Sequence, residues 1–174
     1  NMAYSNPLLV GTGIGLRQPH VALFMDSTPN INWLEVHSEN YLQESSKRRY
    51  QLRQIRHNYA ISCHGIGLSL GSADGLNLDH IGSLKALFDD IEPTLVSEYL
   101  SWSSADGRYF NDLLPLPYTQ ECLDHMISRV NQTQTLLNRT ILIENPSSYL
   151  AFKQSEMSEP ELLNQLSHHT GCGL

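Results

Sequence analysis

Four stretches of this sequence end an apolar run on side chains that can ligate a metal or move a proton. "WLEVHSENY" carries Glu35, His37, Glu39 and Asn40, "SCHG" carries His64, "VSEYLSW" carries Glu98 and Tyr99, and "ILIEN" carries Glu144 and Asn145. Imidazole and carboxylate donors without thiolates suit Fe(II), Mn(II) or Zn(II) better than a soft-metal or structural zinc site. A carboxylate has two oxygens, so one glutamate could bridge two ions. Glu144 follows Ile141-Leu142-Ile143 directly, and Pro146 stops the strand two residues on. A carboxylate there is costly to bury unless a cation or hydrogen bonds meet it. Taken singly, each residue has a plainer reading: His64 as a satisfied core histidine, Glu35 or Glu98 as the partner of an arginine or a helix cap. Recurrence at four successive strand ends favours one polar site.

The elements that must position these residues follow from periodicity. Strands are expected over residues 8–16, 32–39, 60–66, 94–102 and 140–145, with a sixth beginning at Cys172. Helices are expected near 19–27, over 43–59, and from Leu78 to Ile91, where apolar residues recur every three or four positions. A fourth follows Thr119 as N-cap, and a fifth opens with Ser158 and Glu161 as a capping box and closes at Gly171. Strand and helix alternating in this way imply parallel strands joined by right-handed crossovers, an α/β fold. Such folds carry their sites at the C-terminal ends of the strands. No linker interrupts the chain, so residues 1–174 read as one domain. An open doubly wound sheet and a barrel both suit the alternation. About five and a half βα units in 174 residues extrapolate to the roughly 250 of a whole TIM barrel. The chain therefore reads as the N-terminal portion of a (β/α)8 barrel, cut short. A half barrel leaves strand edges open, and is expected to self-associate or to be part of a longer chain.

Composition narrows the function classes. The formal charge of −7 argues against a broad nucleic-acid surface. The basic run "KRRYQLRQIRH", Lys47 to His57, recurs at helical spacing and reads as a solvated helix face. Three cysteines at no metal-like spacing suggest a reduced, cytoplasmic protein, and no apolar run reaches the length of a membrane span. "GTGIGL" lacks the third glycine of a dinucleotide loop. Cys63 adjoins His64 and should face the other side of its strand, which argues against a Cys–His nucleophile. "NDLLPLPYT", Asn111 to Thr119, reads as a long proline-punctuated loop, a lid or substrate wall.

Taken in order, "WLEVHSENY", "SCHGIGLSLGS", "VSEYLSWS", "NDLLPLPYT", "ILIENPSSYL" and "TGCGL" resemble the multinuclear non-heme iron-dependent oxidative enzymes, which include the methanobactin-biosynthesis oxidase. The resemblance covers essentially the whole chain. It implies a xylose-isomerase-like TIM barrel, two or three iron ions, and O2-dependent oxidation of cysteines or other residues in a ribosomally made precursor peptide. It also implies a separate partner protein that presents the peptide. By position it implies His64 as a metal ligand and Glu144 as the carboxylate bridging two irons, with Glu35, His37 and Asn40 as catalytic residues at the rim. From their strand-end positions Glu98 and Asn145 are further candidate metal residues and Tyr99 a candidate catalytic one. Two departures stand out. The fourth motif normally continues with a ligating histidine where this chain has Tyr99, and tyrosinate is a poor substitute for imidazole at a ferrous site. The family's later ligand motifs, beginning with an aspartate–asparagine segment after the sixth strand, are absent. Two other readings remain open: a divalent-metal isomerase or phosphodiesterase of the same fold, using a metal other than iron, and an inactive barrel fragment.

Overall fold

The computed structural model describes residues 9–71, 74–105, 108–114, 117–145 and 155–174. Five parallel strands form one sheet: β1 (Gly13–Gly15), β2 (Trp33–His37), β3 (Ala60–Gly65), β4 (Leu95–Tyr99) and β7 (Leu142–Glu144), in the order β1-β2-β3-β4-β7. A two-stranded antiparallel sheet is made by β5 (Trp102–Ala105) and β6 (Arg108–Leu114). The helices are α1 (Val21–Asp26), α2 (Lys47–Arg56), α3 (Leu78–Ile91), α4 (Gln120–Leu137) and α5 (Glu159–Thr170). The parallel strands follow one another in sequence order. A doubly wound sheet reverses that order at a switch point, so this α/β succession is the TIM-barrel-like one.

The chain divides into two compact units, residues 1–65 with 82–96, and residues 66–81 with 97–174. In the first unit, β2 and β3 run in register from Trp33 opposite Ala60 to His37 opposite His64. Leu34 and Val36 oppose Ile61 and Cys63, and all four are buried. Strand alternation makes that the core face. Close packing explains two of the three glycines of "GTGIGL". A Cβ on Gly13 would collide with the Trp33 indole, and one on Gly11, at φ +80°, with the Asn32 side chain. Asn32 Oδ1 accepts from Thr12 N at 2.8 Å, and Thr12 O accepts from Asn32 N at 2.9 Å. These glycines serve a strand junction.

The basic run of α2 is only partly solvated: Lys47, Arg48 and His57 are exposed, but Arg49 and Arg56 are not. Ser46 caps the helix, accepting from Arg49 N at 3.1 Å, and Arg49 and Arg56 are buried on the same stripe as Leu52 and Ile55. Arg49 donates from Nε to Asp90 (2.6 Å), from Nη1 to Tyr41 O (2.8 Å) and from Nη2 to Ala86 O (2.9 Å). Arg56 donates to Ile91 O (3.0 Å) and Glu92 O (3.2 Å). The carbonyl that ends α3 has no partner within the helix, and the Arg56 guanidinium satisfies it at Ile91 and opposes the negative helix end. The spacing makes the run helical, but burial depends on partners some 35 to 41 residues away.

In the second unit, Ser97, Glu98 and Tyr99 of β4 pair with Leu142, Ile143 and Glu144 of β7. Leu142 also bridges Gly173 in parallel, where a sixth strand was expected to begin. Helix α4 buries Leu123, Met126, Val130, Thr133 and Leu137 at alternating three- and four-residue steps, and packs on α5, which buries Leu162 and Leu166. Its N-cap is Thr119, accepting from Cys122 N at 3.2 Å. The α5 N-cap is Ser158, which accepts from Glu161 N at 3.4 Å, and Gly171 closes that helix at φ +68°. Two expectations need correction. The run over 94–102 is not one strand, since β4 ends at Tyr99 and Trp102 begins β5. Residues 111–114 of the expected loop belong to β6, while Pro115 and Leu116 lie outside the described residues.

Candidate functional site

In the first unit the parallel register brings two of the nominated residues side by side. His37 and His64 are partners at the C-terminal ends of β2 and β3, with ring centroids 5.8 Å apart and planes at 68°. Registered neighbours in a parallel pair point to one face, so Glu35, opposite Ser62, shares that face with both imidazoles. His64 is 4% exposed, whereas His37 is exposed. Cys63 lies on the opposite, core face, as alternation requires. After His37 the chain makes a short helical turn, Ser38–Tyr41, that carries Glu39 and the exposed Asn40.

In the second unit the register separates two adjacent candidates. Tyr99 is paired with Glu144, whereas Glu98 is paired with Ile143. Tyr99 and Glu144 therefore share one face of the ladder, and Glu98, 2% exposed, belongs to the face of Ile143. Leu100 N donates to Glu144 O at 2.7 Å, and Gly71 N donates to Ser101 O at 2.9 Å. The first extends the β4–β7 ladder, and the second ties the end of β4 to the loop that follows β3. Asn145 is half-buried, and its Nδ2 donates to the phenol of Tyr118 at 3.1 Å. Pro146, expected to end β7, lies outside the described residues.

Tyr118 was not singled out from the sequence. It sits just before the α4 N-cap, and its hydroxyl also donates to Glu159 Oε2 at 3.3 Å. Burial pushes the phenol above its ordinary value, the Asn145 hydrogen bond opposes this, and the Glu159 charge adds to it. No local signal marks this residue, because its partners lie 27 and 41 positions further on. Cys122 and Cys172 are likewise raised by burial, Cys122 to about 11, and all three cysteines are unbridged. Among the described residues no group of three or more His, Cys, Asp or Glu converges as a metal site. No helix among them is long and apolar enough to cross a membrane.

The model of the family described as "RiPP precursor modification enzyme MbnB/TglH/ChrH" matches residues 11–174. The chain belongs to this family. Curated relatives agree. A UPF0276 protein of Psychromonas ingrahamii is 51% identical over 162 residues, 93% of this chain and 57% of that protein. One of Vibrio vulnificus is 53% identical over 162 residues, 93% of this chain and 56% of that protein. A third, of Acaryochloris marina, is 48% identical over 164 residues, 94% of this chain and 59% of that protein. The chain thus spans somewhat over half the length of these relatives. Family membership agrees with the TIM-barrel-like succession of strands and with the motifs that resemble the multinuclear iron enzymes.

Proposed function

We propose that this chain carries part of the active site of an iron-dependent oxidase that modifies cysteine or other residues of a ribosomally made precursor peptide. The reading is carried by the His37–His64 pair at the ends of β2 and β3, in a chain whose family is described as modifying such precursors. The donor types fit the metal: imidazole nitrogens and carboxylate and amide oxygens are ligands that ferrous iron accepts. His64 would hold iron through a ring nitrogen, Glu144 through its carboxylate and Asn145 through its amide oxygen. Glu98 remains a candidate donor on the other face of its strand. The remaining ligands of two or three ions are assigned to the part of the family's length that this chain does not span. When bound, the iron would supply activation of dioxygen for oxidation of the peptide.

The chain's own residues have distinct tasks. His64 is almost fully buried, which would hold the imidazole in place for ligation. His37, exposed beside it, can exchange a proton with a substrate or hydrogen-bond to it. Glu35 lies on the same face, and the exposed Asn40 on the following turn can bind the peptide backbone. Tyr99 offers a phenol on the Glu144 face. A separate protein would present the peptide, and the three unbridged cysteines support a reducing, cytoplasmic setting.

The test is anaerobic loading of the full chain with ferrous iron, followed by elemental analysis and oxygen-uptake measurement with peptide. His64→Ala and Glu144→Ala should each lose at least half of the bound iron relative to wild type. Equal iron in all three proteins refutes the assignment. Metal-dependent turnover without oxygen uptake would instead support isomerase or phosphodiesterase chemistry.

A further inference from the structure

Tyr118 joins three segments of the second unit. Its carbonyl accepts from Glu156 N at 2.8 Å and from Met157 N at 3.1 Å, and the Glu156 carboxylate accepts from Gln120 N at 3.0 Å. The residue is thereby pinned between the start of α4 and the approach to α5. Its hydroxyl has one proton and meets two partners of opposite character. Glu159 offers only acceptor oxygens, so the phenol donates to Oε2 (3.3 Å), and Asn145 Nδ2 donates to the phenol oxygen (3.1 Å). Glu159 is the first residue of α5, behind its Ser158 cap, where a carboxylate is favoured by the helix N-terminus. A fixed acceptor thus sets the direction of the hydroxyl proton, and the hydroxyl sets which end of the amide faces Tyr118.

That orientation matters because the two ends of an asparagine amide are chemically opposite. Only Oδ1 can ligate a cation or accept from a substrate, and an unrestrained amide presents either end. We propose that Tyr118 is a positioning residue that binds Asn145 through Nδ2 and so leaves Oδ1 as the end offered to a ligand beside Glu144. The proposal rests on the reading of Asn145 as a ligand of the iron site. Partners that orient a metal ligand typically change affinity by about 10–100-fold when removed.

The experiment compares wild type, Tyr118→Phe, Asn145→Ala and the double variant of the full chain by two readouts. One is the Asn145 side-chain amide signal in nitrogen-15 NMR, and the other is ferrous iron affinity measured anaerobically. Tyr118→Phe removes one oxygen and should shift both Asn145 amide proton resonances while weakening iron binding about 10-fold. In the Asn145→Ala background the same change should weaken binding no further. Unchanged Asn145 resonances in Tyr118→Phe, or an equal loss in both backgrounds, overturns the proposal. Failure of the wild type to bind iron would sink the functional reading instead, and the amide resonances alone would then decide the positioning role.

Discussion

Asp90 is the point at which the anchoring of α3 is most exposed to test. One carboxylate accepts from two arginines of α2, at 2.6 Å from the Arg49 Nε and 2.8 Å from the Arg53 Nε. The side chains differ in environment: Arg49 is 1% exposed, Arg53 31% and Asp90 27%. Asp90→Ala leaves a buried guanidinium without its counter-charge, a class of change that costs about 3–5 kcal/mol. Because Asp90 is itself a quarter exposed, the low end applies, about 3 kcal/mol. For a chain of this size that corresponds to a fall in Tm of about 6–12 °C. Arg53→Ala removes a pair whose cation is about a third exposed and should cost at most about 1 kcal/mol, or about 2–4 °C. Burial alone would raise the Asp90 carboxyl, but the hydrogen bonds from Arg53 and Arg49 outweigh it, and its pKa is lowered on folding. A carboxyl depressed on folding contributes its stability in full above the unfolded value near 4 and loses it as the pH falls through the lower folded value. Thermal unfolding by circular dichroism from pH 7 to pH 3 should therefore show the gap between wild type and Asp90→Ala narrowing in acid. A gap for Asp90→Ala no larger than for Arg53→Ala, or one indifferent to acid, would refute the buried-clamp account.

Two further outcomes follow from packing and burial. Gly13→Ala drives a methyl into the Trp33 indole and should cost about 1–3 kcal/mol, whereas Gly15→Ala meets nothing within 4 Å and should leave urea unfolding almost unchanged. Equal effects at both positions would show that the glycines are not there for the β1–β2 approach. Cys122, with its thiol pushed up to about 11, should be about one part in a thousand thiolate at pH 8. Its alkylation in the native protein, followed by peptide mass spectrometry, should rise about tenfold per pH unit up to pH 10, and fast labelling at pH 8 would contradict this.

The strands and caps were legible because their signals are local. The fully buried β3 was expected over 60–66 and spans Ala60–Gly65, and the Ser158 and Gly171 caps of α5 stand where capping chemistry puts them. The β5–β6 hairpin was not legible. "YLSWSS" continues the apolar run of β4 without a glycine or proline to punctuate the break, and the prolines after Leu114 drew attention to a loop instead of to the strand before it. Arg49 and Arg56 repeat at helical spacing like any solvated charge. What buries them is a set of carbonyls and one carboxylate at the far end of another helix. Tyr118 stands in the same category, since its meaning lies wholly in partners distant along the chain.

The strand-end residues show where sequence reasoning divides from geometry most sharply. A strand end can be located from its last apolar residue, but the face each side chain takes depends on a register that no single strand encodes. Glu98 and Tyr99 are neighbours in sequence, and both were nominated. Pairing with β7 then assigns Tyr99 to the Glu144 face and Glu98 to the Ile143 face. A one-residue slip would exchange them, so the β4–β7 register itself sets which of the two shares a face with Glu144. The position where the family motif normally carries a ligating histidine is the one on the Glu144 face. Under the proposed function Tyr99 would stand in that histidine's place, with its phenol on the Glu144 face.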